Sequence, residues 1–283
     1  MTETLSLLYA PIGEPGSGRV RYGAAMELWR EGLITPDVLE VYRIAAAHDG
    51  RDPLSVLEAL GLPPPPPSAS ETPMRQLYQA ARGYLLRLEH PGAEEVRAGL
   101  PADPGDERET MAAGNPVAQL WLIPALEALA TTEPSLAAAI SRAAEHLCWL
   151  TYDAYPRQQI GEGFATSHAF AILRGCNAPF NARDFELGLL LMAPATLYRD
   201  HHHAAPELYA PLTGPHGWRF GIGRSVVVKA AHQPVWNPPL QPHLTKVGEV
   251  PFLGLFVWTR DVNEAARVIS ADDWPKLETI WIG

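Results

Sequence analysis

The chain has 283 residues, 47% hydrophobic and 19% charged, and 22 bases against 32 acids give a formal net charge of −10. Such a chain can bury a sizeable core in one large domain or two smaller ones. Its acidity excludes a nonspecific nucleic-acid binder, which needs a cationic surface, and no apolar run approaches the ~20 residues of a membrane span.

The first half reads as helical. Gly13 to Gly18 lacks the Gly-Lys-Ser/Thr of a phosphate loop and is expected to be a plain turn. Thr35-Pro36 reads as a helix N-cap followed by proline at the first helical position, after which Val38, Val41, Ile44 and Ala45 recur at helical spacing. A short helix is expected from Pro53 to Leu60. The run Pro63 to Pro67 cannot donate backbone hydrogen bonds and is expected to form an extended connector. Met74 to Glu89 is amphipathic, Pro91 to Gly114 reads as a surface loop, and Val117–Ala130 and Pro134–Leu150 read as two more helices. Beyond residue 150 short apolar runs alternate with turn residues: Phe170–Leu173, Phe185–Met192, Trp218–Ile222, Ser225–Val228 and Phe252–Trp258. Gly221-Ile-Gly223-Arg224 reads as a hairpin turn and Val262 to Ile269 as a short helix. The expected fold class is α+β, with an α-helical region over residues 1–150 and an antiparallel β-barrel over residues 151–283.

Charge and histidine are unevenly placed. Residues 1–150 hold 11 Arg, no Lys and 20 acids, net 11 − 20 = −9, whereas six of the ten histidines fall between His201 and His243. In Tyr198-Arg-Asp-His201-His202-His203-Ala-Ala-Pro-Glu207-Leu-Tyr209, His201 and His203 share one face of a strand, and Glu207 and Tyr209 share their parity. His202 points the other way. Two imidazoles, a carboxylate and a phenol make a mixed nitrogen and oxygen site for a divalent metal ion such as Zn, Fe, Mn, Ni or Co. His232 and His243 are the candidates for a further ligand. His243 is preferred, because the proline-rich stretch from Asn237 to Pro242 can deliver it into a barrel mouth. His216, between Pro215 and Gly217, reads as a loop residue, and Cys148 and Cys176 as buried packing residues. Two cysteines do not make a disulfide framework, and no secretory leader is recognisable, so the expected location is the cytoplasm.

His201-x-His203-x3-Glu207-x6-Gly214 resembles the first motif of the cupin superfamily, and Pro238 followed by His243 resembles the second, with Leu240 and Val247 in place of its usual glycine and asparagine. Tyr198 ahead of His203-x3-Glu207-Leu208-Tyr209, with Phe185 to Pro194, His243-Leu-Thr and an apolar strand ending in Trp258, is similar to the cupin-type dimethylsulfoniopropionate lyases over roughly residues 150–260. The resemblance implies metal ligation by Glu207, His243 and one or both of His201 and His203. It implies Tyr209 as the base and Tyr198 as a substrate-binding or assisting residue.

The implied reaction is β-elimination of a zwitterionic small molecule to dimethyl sulfide and acrylate. A nearby divalent cation favours the phenolate of a tyrosine whose free pKa is ~10. The substrate's sulfonium has no hydrogen-bond donor and suits aromatic faces, for which Trp258, Trp218 and Trp236 are the candidates, Trp258 first. A cupin isomerase, dioxygenase or lyase acting on another small carboxylate, and a non-catalytic small-molecule binder, are the alternative readings. The helical half is expected to pack on the barrel or to build a homodimer interface.

Overall fold

The computed structural model describes residues 2–66 and 72–283. The chain divides into two compact units, residues 1–72 and 73–283. The first holds four helices, α1 (Thr2–Leu8), α2 (Ser17–Arg30), α3 (Pro36–Ala45) and α4 (Pro53–Ala59). Helix α3 begins as its sequence predicts: the Thr35 hydroxyl accepts from the Val38 amide at 3.3 Å, and Pro36 occupies the first turn. Leu8, Ala25, Leu28, Val38, Tyr42 and Leu57 close this unit's own core. Gly16 and Gly18 do form a turn, but their amides donate to the Asp49 carboxylate at 2.9 and 2.8 Å, so a protein group already satisfies this helix start. In the proline run, the carbonyls of Pro65 and Pro66 accept from the Tyr9 hydroxyl, at 3.5 and 3.0 Å; Pro67 lies outside the described residues.

The second unit begins with α5 (Pro73–Leu85), α6 (Ala93–Gly99), α7 (Pro116–Ala130), α8 (Pro134–Ala143), α9 (Arg157–Ile160) and α10 (Glu162–Thr166). The stretch expected to be a loop between Pro91 and Gly114 therefore carries a short helix, held by the buried Val96. Helix α8 ends at Ala143, well short of Leu150, because Cys148 and Leu150 bridge to Ala113 and Phe170.

Eleven strands follow: β1 (His168–Gly175), β2 (Phe180–Asn181), β3 (Glu186–Met192), β4 (Leu197–His202), β5 (Glu207–Pro211), β6 (His216–Phe220), β7 (Val227–Lys229), β8 (Val235–Asn237), β9 (His243–Lys246), β10 (Phe252–Trp258) and β11 (Arg267–Val268). They form two open sheets, ordered β2-β1-β3-β10-β5-β8 and β11-β4-β9-β6-β7. The fold is α+β with a largely antiparallel pair of sheets, and the expected barrel is not closed by hydrogen bonds. The tail differs from its reading: Val262 to Ile269 is turn and strand, and the terminal helix, α11, is Trp274–Thr279.

Side-chain alternation on the six-stranded sheet sorts two environments. Ala169, Leu189, Leu191, Leu208, Leu253, Leu255 and Val257 share one core with Leu77, Ala81, Ala125, Leu129 and Ile140 of α5, α7 and α8. The residues between them, among them Leu190, Tyr209, Phe252 and Phe256, face a second core that also holds Tyr198 of the other sheet. Covering one sheet face with helices thus leaves the opposite face for the site.

Candidate functional site

The site is assembled from both sheets. His201 is the penultimate residue of β4, His203 follows the strand, and His243 opens β9, where it is the strand partner of His201. Glu207 and Tyr209 lie on β5 of the other sheet. The chain turns between His203 and Glu207, so shared parity along one strand is not what unites them; a crossing between facing sheets does. A register shift between Tyr198 and His201 performs a similar service within β4. Three residues apart, they would face opposite ways in a regular strand; the irregularity stacks their rings 3.9 Å apart at 14°.

All three histidines are held by the same device. Nδ1 of His201, His203 and His243 contacts the carbonyls of Arg199, Ala205 and Gln241 at 2.8, 2.7 and 2.8 Å. A carbonyl only accepts, so each Nδ1 carries a proton and a neutral ring keeps its lone pair on Nε2. Nε2 of His201 and of His243 are buried without a hydrogen-bond partner. One ring nitrogen from each of the three lies within 4.8 Å of the others.

Glu207 Oε2 sits 3.1 Å from His203 Nε2 and 3.3 Å from His243 Nε2. Lone pairs facing a carboxylate at that distance repel unless a proton or a cation lies among them. Burial alone would raise the Glu207 pKa, but the imidazoles of His203 and His243 outweigh it and hold the carboxyl well below its ordinary range. Burial, followed by the neighbouring His243 and His203, pushes His201 well below an ordinary histidine. Against burial, Glu207 raises the pKa of His203 in turn, so a proton is held between Oε2 and the His203 Nε2. Three imidazoles oriented through Nδ1, two of them with orphaned Nε2 atoms, beside an ionised carboxylate fit a divalent metal ion in that proton's place.

Beside this cluster, with Glu207 in its wall, lies a cavity of about 370 Å³. Tyr209 and Tyr198 both line it, and burial above all pushes both phenols well above 10, with Glu207 adding to the shift. The Tyr198 hydroxyl bonds to the Tyr155 hydroxyl at 2.8 Å, and its ring stacks between Phe164 and His201.

The three tryptophans separate. Trp258 lines the cavity, and its indole N–H donates to Glu207 Oε1 at 2.8 Å, while Asn237 Nδ2 approaches Oε2 at 3.3 Å. Trp218 and Trp236 are not in the cavity wall. Trp218 is fully buried against Tyr209 and Phe252. Trp236 is the strand partner of Leu208 and faces the helices, packing on His90 and tightly over Gly92.

Other residues depart from their readings. His232 bonds to the Tyr84 hydroxyl and to Thr132 Oγ1, at 2.9 and 2.8 Å, outside the cluster. His216 is no loop residue: it is fully buried at the start of β6, accepts from the Gly248 amide at 3.1 Å, and burial lowers its pKa to about 3. Cys148 is half-buried, and Cys176 is exposed. Sequence reasoning missed Tyr152, Tyr155, Phe164 and Glu186, all of which line the cavity. Glu186 lay in plain view in an apolar strand, where an acid is unusual.

No helix among the described residues is long and apolar enough to cross a membrane. No curated protein matches the chain. A crystal structure of the DMSP lyases RdDddP and RnDddQII is similar at 21% identity and TM-score 0.53, over 70% of this chain and 98% of that one. The DMSP lyase DddQ from Ruegeria pomeroyi DSS-3 is similar at 20% identity and TM-score 0.52, over 71% and 98%. These likenesses show a shared fold. The model of the dimethylsulfoniopropionate lyase family matches residues 95–254, more than half of the chain and the stretch that carries every residue of the histidine cluster, and the chain belongs to that family.

Proposed function

We propose that the protein cleaves dimethylsulfoniopropionate to dimethyl sulfide and acrylate by a metal-dependent β-elimination initiated by Tyr209. The observation that carries the reading is the convergence of three Nε2 lone pairs and the Glu207 carboxylate beside a buried phenol, in a chain of this family. His201, His203, Glu207 and His243 would hold the ion. When bound, a divalent cation supplies Lewis-acid charge to the substrate carboxylate and favours the phenolate of a nearby tyrosine. Tyr209 takes the proton from the carbon next to that carboxylate. The electrons of the broken C–H bond form the new double bond, and those of the C–S bond leave with sulfur, giving a neutral sulfide. Tyr198, held by Tyr155 and the Phe164 ring, lines the cavity with Glu207 and Tyr209 and orients the substrate there. The aromatic lining keeps water from the reacting carbons.

Headspace gas chromatography of the metal-loaded protein with the substrate tests the reading. Dimethyl sulfide is expected from the wild type, and Tyr209→Phe should lose most of kcat while keeping its metal. Absence of the sulfide with each of the five metals would end this reading.

A further inference from the structure

Two acids line the cavity: Glu207, which adjoins the imidazoles of His203 and His243, and Glu186 on β3. The strand partner of Glu186 is Trp258, itself the partner of Glu207. Two strand spacings therefore put Glu186 and Glu207 roughly 10 Å apart along the same face. The Glu186 carboxyl has no hydrogen bond or ion pair among the described residues. No lysine or arginine lines the cavity, and its one histidine, His168, is kept neutral by burial, with both ring nitrogens already bonded to the Tyr152 amide and the Phe164 carbonyl. Burial, with Glu207 adding to it, raises the Glu186 pKa to about 7. An acid kept in this wall, on an otherwise apolar strand, carries a cost that packing does not explain. Tyr152, Phe170, Phe256 and Trp258 line the same cavity and supply π faces.

We propose that Glu186 is the counter-charge for the onium head of the substrate, setting its orientation with the carboxylate at the histidines and the sulfonium between Glu186 and the aromatic rings. The inference rests on the cleavage reading. An onium group offers no hydrogen-bond donor, so only opposite charge and aromatic faces can select it. Its charge fades as the C–S bond breaks, so Glu186 attracts substrate more than transition state. Its removal should raise KM without lowering kcat. The neutral sulfide is no longer held by the acid, which favours its departure.

The test compares the metal-loaded wild type with Glu186→Gln and Glu186→Asp. Two probes are bound by calorimetry, both keeping the carboxylate: 3-(trimethylammonio)propanoate, whose head is cationic, and 3-(methylsulfanyl)propanoate, whose head is neutral. Glu186→Gln should weaken the cationic probe roughly tenfold or more. It should leave the probe with the neutral head within about twofold and raise KM without lowering kcat. Glu186→Asp should keep the preference for the cation. Equal weakening of both probes, or no weakening of the cationic one, would overturn the assignment. A wild type that binds the cationic probe through Glu186 but releases no dimethyl sulfide would refute the cleavage reading and leave the assignment standing.

Discussion

Trp258 offers a choice between two roles, an aromatic wall or a clamp on Glu207, and Trp258→Phe separates them. The substitution keeps a ring beside His203, whose centroid lies 4.5 Å from that of Trp258, and deletes the 2.8 Å hydrogen bond from the indole to Glu207 Oε1. Glu207 is only 2% exposed, so no bulk water replaces the lost donor. A hydrogen bond to a buried charged group is worth about 1.5–3 kcal/mol. The other donor, Asn237 at 3.3 Å, is too long to compensate. If Glu207 is a ligand, the loss appears as weaker metal binding, by ~10–100-fold, the usual scale for groups that orient a ligand. The assay is competition for the ion against a chromophoric chelator, with KM measured at saturating metal. Unchanged metal affinity with a raised KM would refute the clamp and leave the indole as a wall.

Further substitutions probe the frame. Arg219 is fully buried, bonds to Asp200 and Asp273, and is the cation that matches buried Asp200; Arg219→Met should cost about 3–5 kcal/mol in denaturant unfolding, since it strands a buried charge. Gly188→Ala would put a Cβ 2.6 Å from the Phe256 ring and 2.8 Å from the Ala171 carbonyl, so about 1–3 kcal/mol should be lost, visible as a lower Tm. Burial lowers His168 to about 4 and His216 to about 3, against an unfolded value of ~6.5. Both sites bind more protons unfolded than folded between those limits, so their contribution is complete above pH ~6.5 and falls as the pH drops toward 4 and then 3. His168 alone should give roughly 3 kcal/mol over that window. Denaturation of the metal-free protein at pH 7 and pH 5 should show the decline, with a shallower slope in His216→Gln.

The local part of the site was legible because its residues lie within one short stretch and their chemistry is unusual. His203, Glu207 and Tyr209 suggest a mixed nitrogen and oxygen site without any knowledge of the fold, and the proline-rich stretch before His243 singles it out as their companion. That stretch does tie the two segments together, the Leu240 amide donating to the His203 carbonyl at 2.9 Å. What escaped depends on long-range placement. A strand period ran on past His203 on paper, whereas the chain crosses there to the other sheet. The register shift that turns Tyr198 toward His201 leaves no mark in the sequence. Trp218, Trp236 and Trp258 all sit in short strands; which of them meets the cavity depends on pairing, and Trp236, opposite Leu208, falls on the helix side. Tyr152, Tyr155 and Phe164 come from a segment without a readable period and matter only because it packs beside β4. His216 reads as a turn residue, and its burial comes from the nearby Thr213 together with Gly248 and Phe252, which arrive from more than thirty residues away.

The central claim is that His201, His203, Glu207 and His243 close around one ion. Metal-edge X-ray absorption on the loaded protein tests it directly. A first shell of nitrogen and oxygen at ~2.0–2.2 Å, with outer-shell scattering from imidazoles that weakens in His203→Ala and in His243→Ala, is the result expected. A shell of water oxygens alone, unchanged by either substitution, would contradict it.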